Sequence, residues 1–453
     1  MHIGVRQRAP IAALAVGLAG LSMLVGYLQK ARCAGAPFDD AGRSLIFDRI
    51  KDTQVCYSDI QLLWLGRDVN LHVFPYLTGG INSDGTLTGG TVEYPVLSGV
   101  LMWLGGIGSH TDADFLLHSA LILAPFGLLT AWMLGRLAGW WALLWSVGPP
   151  LILYAFHNWE LPVIAMSVAA IFVMTLERIP LRTRAVIAAV LLAVGFCLKL
   201  YPGAFVLPLI AYVLTHDRTA ERRYDVRGAV MVGVAAITTV VAVNLPFALI
   251  SFQGWRASFT FQQNRQADIT SNSIWYWGLR PLFGPHDADT PVPAYDQTVS
   301  LVSPLLVCAA FAVAMRLGWL RYQREGIYPW IPVSAAMLCG FLLLHKVHSP
   351  QYTLWLVPFF VLLRVPWGLV AAYLVADLSL GIGVFKYFGA LVSETDATTF
   401  ELLVKFGVWG RAALLMVLFF VFLRASLRHP HVSATTDPDS DQRSRPKSPE
   451  PAR

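Results

Sequence analysis

The sequence predicts an all-α polytopic membrane protein with about twelve transmembrane helices, and three observations carry that reading. Of 453 residues, 56% are hydrophobic and 14% charged, where an ordinary soluble domain carries about a quarter charged. Mean hydropathy is +0.56. The arginines behind the formal charge of +6 fall in short loops between apolar runs, the pattern of the positive-inside rule and not of a nucleic-acid patch. Nucleic acid is therefore not an expected partner; the lipid bilayer is.

The N-terminal stretch MHIGVRQRAP is basic and leads into an apolar run from Pro10 to Tyr27. No clean small-x-small cleavage site follows in LQKARCAGAPFDD, so this run is read as an uncleaved first span with its N-terminus inside. Basic clusters around Arg178, after His216, after Arg316 and at Arg424 mark further cytoplasmic loops. Between the first two, the runs 184 to 198 and 203 to 215 must go out and return, which leaves KLYPG, with Lys199, at the outer face. Counting backwards, 161 to 175 descends, HNWE (His157 to Glu160) lies outside, Arg136 lies inside, and 115 to 134 descends from an outer GGIGSHTDAD. The run from Tyr94 to Ile107 then cannot span, because a crossing there would put Arg6 and Arg8 outside. At about 14 residues, with Gly99, Gly105 and Gly106, it is short for a span and is read as a re-entrant helix dipping in from outside.

Residues 30 to 114 therefore form one large outer loop holding an amphipathic helix and the re-entrant helix. Beyond it, 227 to 250 rise, 251 to 297 form a second outer loop, 298 to 316 return, 328 to 344 rise to an outer HKVHSPQY, 351 to 363 descend, 366 to 385 rise and 402 to 424 descend. The expected organisation is a single plasma-membrane domain over 1 to 428 with both termini cytoplasmic, then a disordered cytoplasmic tail, 429 to 453, rich in Pro, Ser, Asp and Arg. Cys197, Cys308 and Cys339 lie in apolar runs and read as small core residues. Cys33 and Cys56 share the first outer loop and can pair if that loop is extracytoplasmic.

Asp59, Glu93, His157, Asn158, Glu160, Lys199, Tyr201, His345, Lys346 and His348 all map to the outer face. Singly, each reads as a snorkelling or locally paired side chain; gathered from separate segments, they read as the lining of a cavity. Transfer of a sugar from a lipid phosphate suits such a set, because the phosphate leaving group needs Lys, Arg or His donors and the acceptor hydroxyl needs a general base. A multi-span transporter or lipid flippase is the competing class, and a non-catalytic scaffold a third. A transporter should also carry ionisable groups near mid-span, where Asp377 and His118 are the main ones to explain.

Five motifs then follow one another in a recognisable order: CYSDIQLLWLGRDVNLHVFPY, with Asp59, Pro75 and Tyr76; VEYPVLSGVLMWL, with Glu93, Tyr94 and Pro95; HNWELPVIAMSVAA; GFCLKLYPGAFVLPL; and HKVHSPQYTLWLVP. This order, over residues 55 to 360, resembles the GT-C type polyprenyl-phosphate-sugar-dependent glycosyltransferases, and within them the actinobacterial alpha-mannosyltransferase-like membrane proteins related to those that elongate phosphatidylinositol mannosides and lipomannan. The resemblance implies a GT-C fold, a polyprenyl-phosphate-linked sugar donor, mannose as the sugar, a cell-envelope glycolipid or polysaccharide acceptor, and a site at the outer face. Family members often have Asp where Glu160 stands, and a shorter connection in place of LTGGINSDGTLTGG (Leu77 to Gly90), which is read here as a flexible flap at the site.

The resemblance makes Asp59 the catalytic base, with Asp39, Asp40, Asp48 and Asp52 as rivals that read better as solvated faces or caps. Lys199 with Tyr201 is assigned to the lipid phosphate, since a Lys at a span end presents a compact charge to an anion. His348 and Lys346, before the helix-breaking Pro350, are assigned to phosphate or sugar, and Arg256 and Arg265 in the second outer loop to donor phosphate, ranked below Lys199. Tyr76, Glu93, Tyr94, Asn158, Glu160 and Gln351 are candidates for sugar or acceptor. The pair His345 and His348 lacks the neighbouring carboxylate of a zinc helix, while a divalent cation held by Asp59 and Glu93 is left open by the spacing.

Overall fold

In hydrocarbon a backbone must satisfy its own hydrogen bonds, and the apolar runs do so as helices. The computed structural model describes residues 8–216, 224–284 and 292–428; the expected tail, 429 to 453, lies outside them. The chain begins with α1 (Arg8–Ala31), α2 (Asp59–Gly66) and α3 (Val96–Gly106), with a two-stranded antiparallel ribbon, β1 (Gly80–Ile81) and β2 (Leu87–Thr88), between α2 and α3. It continues with α4 (Asp112–Ala138), α5 (Glu160–Met174), α6 (Leu181–Leu198), α7 (Val206–His216), α8 (Val226–Ile250) and α9 (Phe252–Asn264). The last elements are α10 (Pro293–Glu325), α11 (Trp330–Leu344), α12 (Thr353–Leu362), α13 (Trp367–Val392) and α14 (Thr398–Arg424).

Seven helical stretches among the described residues are long and apolar enough to cross a membrane, and five shorter apolar helices, α3, α5 and α11 among them, accompany them. The fold is thus all-α and multi-pass, with one short ribbon as the sheet among the described residues. α1 packs on α4, α5 on α6, α6 on α8, α11 on α14 and α13 on α14. One large apolar core runs through these contacts, and a second cluster joins Tyr276 and Trp277 to α13 and α14 through Leu380, Val384, Val404 and Val408.

Two details differ from the sequence reading. The stretch between Arg136 and His157, expected to rise as one span, is broken into a 3-10 turn Gly139–Ala142 and short helices Leu143–Ser146 and Pro149–Tyr154. Pro149 and Pro150 lack the N–H groups that would continue the helix across Gly148. In α2, Ile60, Gln61, Leu63 and Trp64 are buried against the core, while Leu62 and Leu65 are exposed. The Gly/Thr insertion, read as a flexible flap, folds as the β1–β2 hairpin, closed by Asn82 N–H to Thr86 O at 2.9 Å and packed on α9. By contrast α3 is 11 residues long, about 16 Å and half a bilayer core, a length that suits a dipping helix.

Candidate active site

Asp59 is the first residue of α2, and its placement follows from the serine before it. Ser58, in extended backbone, caps the helix by accepting from Ile60 N–H at 3.2 Å, the ordinary use of a Ser at that position. Its own hydroxyl donates to Phe156 O at 2.8 Å, and Asp59 N–H donates to His157 O at 2.9 Å. The start of α2 is thereby fastened to the HNWE segment.

That seam brings the Asp59 carboxylate to Asn158. Asn158 Nδ2 donates to Asp59 Oδ2 at 2.6 Å and to the Tyr94 hydroxyl at 2.7 Å, while its Oδ1 accepts from Trp159 N–H at 2.6 Å and from Lys199 Nζ at 3.4 Å. The other carboxylate oxygen, Asp59 Oδ1, accepts from Tyr57 OH at 2.7 Å. Burial first, and then the Asp59 charge, push the Tyr57 hydroxyl well above its ordinary range, so it keeps its proton and acts as a donor.

Lys199 follows α6 in extended backbone and forms an ion pair with Glu160, the first residue of α5. The second Glu160 oxygen accepts from Trp355 Nε1–H at 2.6 Å. Glu160 is fully buried, so this pairing and the indole bond are what make its charge tolerable there. Lys199 Nζ also stands 5.3, 5.5 and 5.7 Å from the ring centres of Tyr94, Tyr352 and Trp355, within cation–π range. Tyr57, Asp59, Asn158, Lys199, Glu160 and Trp355 therefore form one continuous polar chain drawn from separate parts of the sequence.

Arg265, just past α9, is half-buried beside this chain. Its electrostatic neighbours are Tyr352, Tyr94, Asp268 and Glu93, yet among the described residues its guanidinium makes no hydrogen bond or ion pair. The sequence reading ranks Lys199 above Arg265 as the phosphate cation; the structure gives Lys199 an anion and Arg265 none. Pairing of that kind is tertiary and leaves no trace in local sequence.

The other candidates divide into those at the chain and those supporting it. Glu93 is paired with Arg67 at 2.6 Å and its carbonyl accepts from Gln262 Nε2 at 2.7 Å, which ties the segment before α3 to α9. Tyr76 is fully buried with φ of 67°, and its hydroxyl donates to Tyr94 O at 2.9 Å; it props up Tyr94 and faces no open space. Tyr201 stacks on Trp355 at 4.3 Å, and Tyr352 stacks on the other side at 3.9 Å. Lys346 Nζ donates to Gln263 O at 2.9 Å, and Arg256 is exposed on α9.

His348 is buried, its N–H donates to Ser271 O at 2.7 Å, its ring Nε2 has no partner among the described residues, and burial, then the Arg411 charge, hold the ring well below its usual titration range. His345 is held down to about 4, chiefly by burial. Both rings are neutral at neutral pH, so His348 is a neutral hydrogen-bonding group. Gln351 is buried with its Oε1 unpartnered.

Among the rival acids, Asp39 accepts from Ala41 and Arg43 N–H at 2.9 and 2.8 Å, and Asp48 and Asp52 flank Lys51 at 2.9 and 3.7 Å. These are loop fastenings. Asp377 is fully buried between Arg411 at 3.4 Å, Tyr154 OH at 3.1 Å and Thr353 Oγ1, and His118 Nδ1 meets Ser109 Oγ at 3.0 Å. No group of three or more His, Cys, Asp and Glu side chains gathers as a metal site among the described residues; Glu93 is committed to Arg67, and both Asp59 oxygens are hydrogen-bonded.

Cys33 and Cys56 form a disulfide with Cα atoms 5.8 Å apart. Sequence reasoning assigns no role to Lys30, Tyr57, Trp355 or Arg411; a lysine at the outer end of the first span was the available signal for the first of them.

No family model matches the chain, and no curated protein matches it. The chain is similar to a solved structure described as the crystal structure of ArnT from Cupriavidus metallidurans bound to undecaprenyl phosphate, over 91% of this chain and 76% of that one, with 15% identity and a TM-score of 0.41. A likeness of that size carries no residue roles across.

Proposed function

We propose that the chain is an integral-membrane glycosyltransferase of GT-C type that moves a sugar, mannose in the first instance, from a polyprenyl phosphate to a hydroxyl of a cell-envelope glycolipid or polysaccharide at the outer face of the plasma membrane. The observation that carries the reading is the polar chain from Tyr57 through Asp59, Asn158 and Lys199 to Glu160, with the unpaired Arg265 beside it. It combines a positioned carboxylate with a cation free to receive an anion, the two groups that glycosyl transfer from a phosphate needs.

In the proposed step Asp59 accepts the proton of the acceptor hydroxyl as that oxygen bonds to the anomeric carbon. The bond from that carbon to the phosphate oxygen breaks, and the phosphate leaves with the electron pair. Tyr57 and Asn158 fix the carboxylate through one oxygen each, so its remaining lone pairs have a set direction. Arg265 faces the charge that develops on the phosphate, and Lys199, already neutralised by Glu160, contributes a hydrogen-bond donor and an ordered ring cage of Tyr94, Tyr352 and Trp355. Neutral His348 and Gln351 have free polar atoms suited to sugar hydroxyls.

The buried Asp377–Arg411 pair favours the second reading, a transporter or flippase, because ionisable groups inside a bundle often mark a pathway. Both of its charges are engaged, however, by Tyr154, Thr353 and the His348 carbonyl, as in a structural tie. Purified protein given radiolabelled polyprenyl-phosphate-mannose and candidate glycolipids separates the two: label in a new glycosidic bond supports the enzyme, and counterflow of intact lipid without bond formation supports the transporter.

A further inference from the structure

The outer end of α1 is bound to the segment that delivers Asp59 by four successive ties. Gln29 Nε2 donates to Val55 O, Lys30 Nζ to Tyr57 O at 2.7 Å and Arg32 to the Gln54 side chain, and the Cys33–Cys56 disulfide closes the set. Lys30 is the unusual member. It is 2% exposed and forms no ion pair among the described residues. A buried amine is costly unless it is hydrogen-bonded, and here its one hydrogen bond goes to the backbone of Tyr57, whose hydroxyl in turn donates to Asp59.

We infer that Lys30 is a positioning residue for Asp59, and that the Cys33–Cys56 bridge holds Lys30 in place. This rests on the glycosyltransferase reading, in which Asp59 is the base. Lys30 touches no reacting atom: it acts by fixing the Tyr57 main chain, and so the direction of the Tyr57 hydroxyl that donates to Asp59. The other charged or titratable groups near this corner are His157, Glu93 and Tyr94 from the segment before α3, Arg265 just past α9, and Glu160 and Lys199 from α5 and the end of α6. Lys199 is paired with Glu160, and Glu93 with Arg67. The disulfide core of Cys33, Cys56 and Phe47, with Ile50 and Tyr57 packed on it, makes that corner rigid.

Two readouts test this on the full-length protein in detergent. In transfer assays, Lys30→Met is expected to lower kcat about tenfold, the size of effect of losing one hydrogen bond that holds the base in place, with donor KM unchanged and Lys30→Arg restoring most of the rate. Reductant is expected to slow the wild type in the same way, while Cys33→Ala with Cys56→Ala is slow from the start and insensitive to reductant. The second readout needs no activity: carbodiimide labelling of Asp59, followed by peptide mass analysis, is expected to be several-fold faster in Lys30→Met and in reduced protein than in the oxidised wild type. Equal labelling in all forms, or Lys30→Met at the wild-type kcat, overturns the inference. Absence of transfer by the wild type overturns the functional reading instead, and the labelling comparison still decides whether Lys30 holds Asp59.

Discussion

The ion pair between Glu160 and Lys199 makes a quantitative prediction about folding. Glu160 has no exposed side-chain surface and Lys199 about a tenth of its own; between them they hold one carboxylate, one ammonium, the Trp355 indole and the Asn158 amide. Replacing Glu160 by Gln keeps the shape and the indole bond but strands the ammonium, and Lys199→Met strands the carboxylate. Each single change is expected to cost about 3–5 kcal/mol, the cost of leaving one buried charge without its partner. The double variant, Glu160→Gln with Lys199→Met, leaves no unpaired charge and is expected to cost less than either single, giving a coupling of about 3 kcal/mol or more. Thermal and denaturant melts of the four purified proteins measure this cycle. Additive losses, with the double variant as unstable as the sum of the singles, refute the claim that Glu160 neutralises Lys199.

Three other outcomes follow from the same geometry. Arg265→Gln, which removes a cation with no partner in the described residues, is expected to leave the melting temperature within a degree or two and to raise donor KM about tenfold or more, the value of a charge-assisted hydrogen bond; unchanged donor saturation contradicts the assignment. Tyr57→Phe removes the 2.7 Å bond to Asp59 and is expected to lower kcat roughly tenfold, read in the same assay. His345, held down to about 4 by burial, binds its proton more weakly folded than unfolded, so its contribution to stability is full above its unfolded value near 6.5 and is lost as pH falls towards 4. The loss amounts to at most about 3 kcal/mol, and His345→Gln is expected to flatten the melting temperature between pH 4 and 7.

The fold class was legible because hydrocarbon imposes a coarse rule on composition, and the count of crossings constrained by Arg6 and Arg8 singled out the stretch that forms the short helix α3. The break before HNWE was also written locally, in Gly148, Pro149 and Pro150, but a hydropathy run hides it. At the site, motif order drew attention to Asp59, Asn158, Glu160 and Lys199, which the structure brings into one chain. Their partners were not legible. Whether Lys199 meets an anion depends on the relative position of α5 and α6, whether Arg265 does depends on the end of α9, and Lys30 reaches Tyr57 only because α1 and the second cysteine converge.

The central claim is that Asp59 is the base of a glycosyl transfer, and the most direct measurement compares wild type and Asp59→Asn with radiolabelled polyprenyl-phosphate-mannose and glycolipid acceptors. Asn retains the size of the side chain, so expression and melting temperature are expected to hold while transfer falls by about a hundredfold or more, the contribution of a positioned general base. Transfer by Asp59→Asn at the wild-type rate contradicts the account.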